Sequence, residues 1–419
     1  MKKTLAQLLL AFLKSRQILI LVPLCIVLHI YSVMSLIHSK HLWEITDPYI
    51  LSGYFLSYEK GFIPRGLIGT VYSFITKFIS GNMFFALLFA GTILFYLFCF
   101  YLLLFRIRKT EDRNTGENLA LAGVLLFSLP PVWTYTLSNF ARFDIFLFAI
   151  TLFSVISIFR DSYWKYLVLL LVPAGVMIHE IFLILFLPLI CATAFYKTEW
   201  KNKRSLLYLF LLFLSCMGSL YILYLMRKNM PSAEVLDALC VKNNNMGNMD
   251  KVGIAIYADK TYLQHLSYAF RSTMLTDYAL GYIVSIFVFL AAGFYPFTLW
   301  KKAYKSLPPD EKLLRWKFIF LLIAALIPNL ACIIATDHAR WQTAFLLDIN
   351  LAVFLLYSDE KLSLKLPAPS PKTVQWVLWA SVTAMVCGMT TECHFSNVLT
   401  GICLKIARGF KYICMLFFS

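Results

Sequence analysis

Charge is scarce in this chain. Of 419 residues only 14% are Asp, Glu, Lys or Arg, with 22 acidic residues against 38 basic ones. A soluble fold must cover its outside with polar groups, so this scarcity excludes a water-facing surface over much of the molecule. Internal repeats, low-complexity tracts and a soluble domain are also missing, which argues against solenoids and appended globular modules. The "PRGLIG" stretch at 64–69 lacks the Gly-x-x-x-x-Gly-Lys spacing of a phosphate loop. "HEIFLIL" at 179–185 lacks the second histidine that a zinc protease needs four positions after the first, because residue 183 is Leu. No metal ligand set is read from the sequence, and no cofactor is named by it.

Apolar residues fill the chain instead. They make up 60% of it, aromatics alone 16%, and the mean hydropathy is +0.73. The expectation is an all-α polytopic integral membrane protein. Candidate spans fall at 18–37, 83–105, 119–137, 143–159, 166–178, 181–196, 205–226, 279–299, 318–335, 343–357 and 373–390, about eleven in all. The two short ones meet at His179 and Glu180 and are read either as separate spans or as one helix, whole or broken at membrane depth. The chain is expected to form a single transmembrane domain. Around the spans lie an interfacial N-terminal helix at 1–16, a first extracytoplasmic loop at 38–82, a long loop at 227–278, and a tail at 391–419 that is interfacial or a last span.

The formal charge of +16 is a topology signal rather than a nucleic-acid one. If the N-terminus is cytoplasmic, all six predicted inner segments are basic, from Lys2, Lys3, Lys14 and Arg16 through to Lys361, Lys365 and Lys372. The short outer loops hold only Arg142 and Arg340. The sequence is therefore read as a multi-pass protein of the cell membrane with its N-terminus inside.

With that orientation, the polar residues set closest to the spans share the outer face: Glu44, Asp47, Glu59, Arg65, Arg142, Asp144, His179, Glu180, Asp337, His338 and Arg340. An ionisable group at membrane depth costs roughly 2.5–3.5 kcal/mol on insertion scales, so their gathering points to a wet cavity open to the outside. Taken singly, each also reads as a loop residue at a helix end. The first loop, with Trp43, Tyr49, Tyr54, Phe55 and Tyr58, is expected to form two helices lying in the interface, Leu42 to Tyr58 and Arg65 to Ile79.

These residue types suit transfer of a sugar from a lipid phosphate. The acceptor hydroxyl needs a base, and the departing phosphate needs cations. Glu44 or Asp47 is the candidate base, while Arg65, Arg142, His338 and Arg340 are candidates for holding phosphate. Asp144 and Asp337, two and three positions from Arg142 and Arg340, are read as orienting those arginines; His179 and Glu180 are read as substrate contacts. Asp348, inside a predicted span, is a candidate relay or ion site. In the long loop, helical pieces are expected near Ala233 to Leu239 and Lys260 to Met274.

A long first outer loop with juxtamembrane helices and the acidic "WEITDP" motif, on about eleven spans, resembles the GT-C class of integral-membrane glycosyltransferases. That resemblance implies a polyprenyl-phosphate or polyprenyl-diphosphate sugar donor, a glycan acceptor, and a first-loop carboxylate, Glu44 or Asp47, as base. The chain is also similar to the O-antigen and capsule polymerases, a likeness that implies roles for Arg65, Arg142 and Arg340. A polysaccharide or lipid-linked sugar transporter is the remaining alternative; the bilayer is the expected partner, and nucleic acid is not.

Overall fold

A computed structural model of the chain describes residues 48–128, 141–243, 276–331, 338–362 and 364–387. The described elements are all helical, and no strand occurs among the described residues. In chain order they are α1 (Pro48–Phe55), α2 (Gly66–Ile75), α3 (Gly81–Lys109), α4 (Arg113–Ser128), α5 (Asp144–Phe159), α6 (Val168–Ile178), α7 (Phe182–Leu185), α8 (Leu187–Lys197), α9 (Lys203–Lys228), α10 (Ala233–Asn243), α11 (Thr276–Lys305), α12 (Lys312–Leu326), α13 (His338–Leu356) and α14 (Pro371–Cys387). Short 3-10 turns precede α2 and α6 and extend α12 to Leu330.

Among the described residues, three helices are long and apolar enough to cross a membrane: α3, α9, and α12 with its 3-10 extension. In α3 and α9 only 17% of the most apolar window is buried by protein. Leu87, Leu94 and Phe98 on α3, and Phe210, Phe213 and Met217 on α9, face outward. Such surfaces are unfavourable in water and suited to lipid, so the chain is a membrane protein. Basic residues close both helices, Arg106, Arg108 and Lys109 on α3 and Arg227 and Lys228 on α9, where the negative ends of the helix dipoles favour cations.

The interior is built by α11 packed along α13, α6 along α9, and α8 between α5 and α12. Every predicted span among the described residues carries helix, but 166–178 and 181–196 do so in pieces. The first ends at Ile178, His179 is extended (φ −162°, ψ 124°), and a second break at Phe186 separates α7 from α8. Pro188, at the start of α8, supports that break because proline cannot donate to a preceding turn. The span expected at 18–37 and the tail at 391–419 lie outside the described residues, as does the N-terminal helix at 1–16.

The first loop departs from expectation. α1 and α2 lie within the stretches assigned to helices, but Tyr54 and Phe55 are wholly enclosed by protein rather than lying on an interface. Tyr54 packs edge-on against Tyr72, Phe84, Phe85 and Phe143, and its hydroxyl donates to the Ala141 carbonyl at 2.7 Å. α1 is thereby anchored to the segment that starts α5. The beginning of the long loop is also packed: α10 sets Leu236, Leu239 and Cys240 into the core beside α1.

Candidate functional site

Arg65 stands at the N-terminal cap of α2 with left-handed backbone, φ 63° and ψ 6°. A bulky side chain rarely adopts this conformation, and the strain persists only where neighbours enforce it. Here they do. A Cβ on Gly66 would come 2.4 Å from the Tyr58 ring, and one on Gly69 would come 1.7 Å from the Leu56 carbonyl oxygen. The helix is pressed against the chain that precedes it, and the turn at Arg65 is fixed as a result.

From there the Arg65 guanidinium reaches Glu180 with two hydrogen bonds, Nε to Oε2 at 3.2 Å and Nη2 to Oε1 at 2.9 Å. Glu180 lies in the bend between α6 and α7, outside both helices. Arg227, in the last turn of α9, approaches the same Oε1 at 3.5 Å. On the other side of the bend, His179 Nδ1 is 3.3 Å from Glu180 Oε2 and His179 Nε2 is 3.5 Å from Arg340 Nη2. Arg340, in the first turn of α13, grips Asp144 at the start of α5 through both oxygens, at 2.8 and 2.9 Å. Its guanidinium also stacks over Trp341 at 4.5 Å.

The result is a continuous chain, Asp144–Arg340–His179–Glu180, ending in Arg65 and Arg227. The Ile181 backbone N–H donates to His179 Nδ1 at 3.2 Å, which fixes the ring in the bend between Glu180 and Arg340. Burial, reinforced by the Arg65 charge, pushes the His179 pKa down to about 4, so the ring is neutral near pH 7. Burial alone would raise the Glu180 carboxyl, but Arg65, then His179, hold it well below the usual carboxylate range. The Asp144–Arg340 pair borders a small cleft of about 20 Å³ whose other lining residues include Tyr96, Ile145, Phe148, Phe186, Ala344 and Leu347.

Of the residues singled out from sequence, the structure brings together Arg65, Asp144, His179, Glu180 and Arg340. Arg142 is buried in the short segment before α5, and Asp144 pairs across the bundle with Arg340 of α13. Glu59 is separate from the cluster and pairs with Lys242 at the surface. Glu44, Asp47, Asp337 and the His338 side chain lie outside the described residues. Asp348 is fully enclosed in α13, and neither carboxylate oxygen has a hydrogen-bond partner among the described residues. Arg227 was not singled out; the signal available was its place in the last turn of a span ending on the same face as His179 and Glu180.

Among the described residues, no three His, Cys, Asp or Glu side chains converge as metal ligands would. No family model matches this chain, and comparison with curated proteins and with solved structures finds no similar one.

Proposed function

We propose that this protein is a membrane glycosyltransferase that takes a sugar from a polyprenyl-phosphate-linked donor on the outer face of the cell membrane, in building a surface polysaccharide. One observation carries the reading: five segments distant in sequence place three arginines, two carboxylates and a histidine in one network, beside a cleft that is otherwise apolar. In this reading the chain crosses the membrane about eleven times with its N-terminus inside, and the first-loop helices seat on the bundle at the outer surface.

The chemistry asks for what these residues offer. An acceptor hydroxyl attacks the anomeric carbon, its proton passes to a carboxylate, and the sugar–phosphate bond breaks with the electron pair leaving on phosphate. Arginine forks stabilise the charge that develops there, in a site dry enough to make each contact count. Glu44 or Asp47 is proposed as the base. The neutral His179 ring suits a hydrogen-bonding role at the acceptor or donor.

The test is transfer itself. In vesicles containing the purified protein, a radiolabelled polyprenyl-phosphate sugar and a glycan acceptor, native protein should form labelled glycan. Glu44→Gln, Asp47→Asn and Arg65→Ala variants that insert normally should show at least one loss of about a hundredfold or more, the order expected when a base or an oxyanion-stabilising group is removed. Full transfer by all three would remove the assignment. A second reading, a transporter of lipid-linked sugar, is favoured by Asp348, enclosed and without a hydrogen-bond partner among the described residues. Movement of donor across the bilayer without transfer, abolished by Asp348→Asn, would select it.

A further inference from the structure

The two ends of the polar network are built differently. At the inner end Arg340 and Asp144 are matched one to one, oxygen to nitrogen, and both are buried. At the mouth, among the described residues, two guanidinium groups address the Glu180 carboxylate. Arg65 already engages both oxygens of Glu180, and Arg227 reaches Oε1 only as a second visitor at 3.5 Å. The Arg227 side chain is 40% exposed, against 20% for Glu180, so this end is open to incoming solutes.

A planar carboxylate has two oxygens to offer. A phosphoryl group has three or more in a tetrahedron, so two guanidinium forks set around one carboxylate can each take their own oxygens from a phosphate put in its place. The approach directions are fixed independently: Arg65 by the compressed turn at Gly66 and Gly69, Arg227 by the end of the long helix α9. Glu180, in a bend between helices, is the member held least by regular structure.

We propose that Arg65 and Arg227 form a phosphoryl-binding site in which the Glu180 carboxylate is a resident anion, displaced when a phosphate group enters. Assigning the phosphate to a lipid-linked donor rests on the functional reading above; the anion site itself stands on the geometry. Glu180 then acts as a gate, since it keeps the arginines spaced in the empty site and competes with weakly bound anions.

Binding to the full chain in phosphatidylcholine nanodiscs tests this, with inorganic phosphate as one probe and nanodiscs doped with phosphatidic acid as the other. Glu180→Gln removes the competing charge and should tighten phosphate binding by about tenfold or more; Arg227→Ala should weaken it by a similar factor, as expected for one charge-assisted contact. Arg113→Ala, which breaks an exposed pair on α4, serves as the control and should change nothing. A preference for phosphatidic acid marks a lipid source, and equal or better binding of inorganic phosphate marks a soluble one; either supports the site provided Arg227→Ala weakens it. Should Glu180→Gln fail to insert, Arg227→Ala and Arg227→Lys decide alone, because the half-exposed end of α9 tolerates both. Phosphate affinity unmoved by Arg227→Ala, or weakened by a well-folded Glu180→Gln, overturns the proposal. Phosphate binding without sugar transfer would retire the glycosyltransferase reading and leave this site standing, whereas transfer that ignores Arg227 would do the reverse.

Discussion

Arg340 and Asp144 stand 196 positions apart and meet as a buried, two-point ion pair. Removing one member leaves the other charged, enclosed and uncompensated, which costs about 3–5 kcal/mol, whereas replacing both with apolar residues of similar volume is often close to neutral. Arg340→Met should therefore lower the thermal midpoint sharply, and adding Asp144→Leu should restore most of it; differential scanning fluorimetry in detergent reads both. Sugar transfer should stay lost in the double variant if the pair also serves the substrate. His179 gives a separate signal. Its pKa falls from about 6.5 in the unfolded chain to about 4 in the fold. A group depressed in this way favours the fold fully above pH 6.5, and that contribution shrinks as pH falls toward 4, by up to about 3 kcal/mol. His179→Asn should flatten the stability profile across that window, and a profile as steep as that of the native protein would show that the ring is not buried neutral.

At the scale of elements, the helices were legible because long apolar runs have few other structures available to them. What the pattern could not separate was lipid from protein as the cover for an aromatic face. Tyr54 and Phe55 have the amphipathic character of interfacial residues, yet they are enclosed by Tyr72, Phe84, Phe85 and Phe143. The clue lay in glycine spacing, since Gly66 and Gly69 permit a backbone approach that a surface-lying helix would not need. Gly69→Ala should consequently be severe. Its Cβ would meet the Leu56 backbone carbonyl, which cannot swing aside as a side chain can, so α2 must shift and take Arg65 with it. A loss of about 1–3 kcal/mol or more is expected from such overpacking, together with weaker phosphate binding. Gly91→Ala on α3, where nothing lies within 4 Å, should be neutral in the same thermal assay.

For the whole molecule, the sequence indicated which face gathers polar groups but not who pairs with whom. Basic residues counted loop by loop predict a sidedness, a one-dimensional property. The link from Asp144 to Arg340 depends on how α5 and α13 meet across the bundle, and the place of Arg227 beside Glu180 on how α9 meets the bend between α6 and α7. These are three-dimensional facts that spacing does not encode. Sidedness is open to a direct check at three exposed lysines. Lys242, which pairs at the surface with Glu59, belongs to the long loop expected outside, whereas Lys201 and Lys301 belong to basic segments expected inside. In right-side-out vesicles, Lys242→Cys should react with a membrane-impermeant maleimide beyond the background of the native cysteines. Lys201→Cys and Lys301→Cys should react only after permeabilisation. The opposite pattern would put the arginine cluster on the cytoplasmic face, where soluble nucleotide sugars are available as donors, and the case for a lipid-linked donor at the outer surface would fall with the topology.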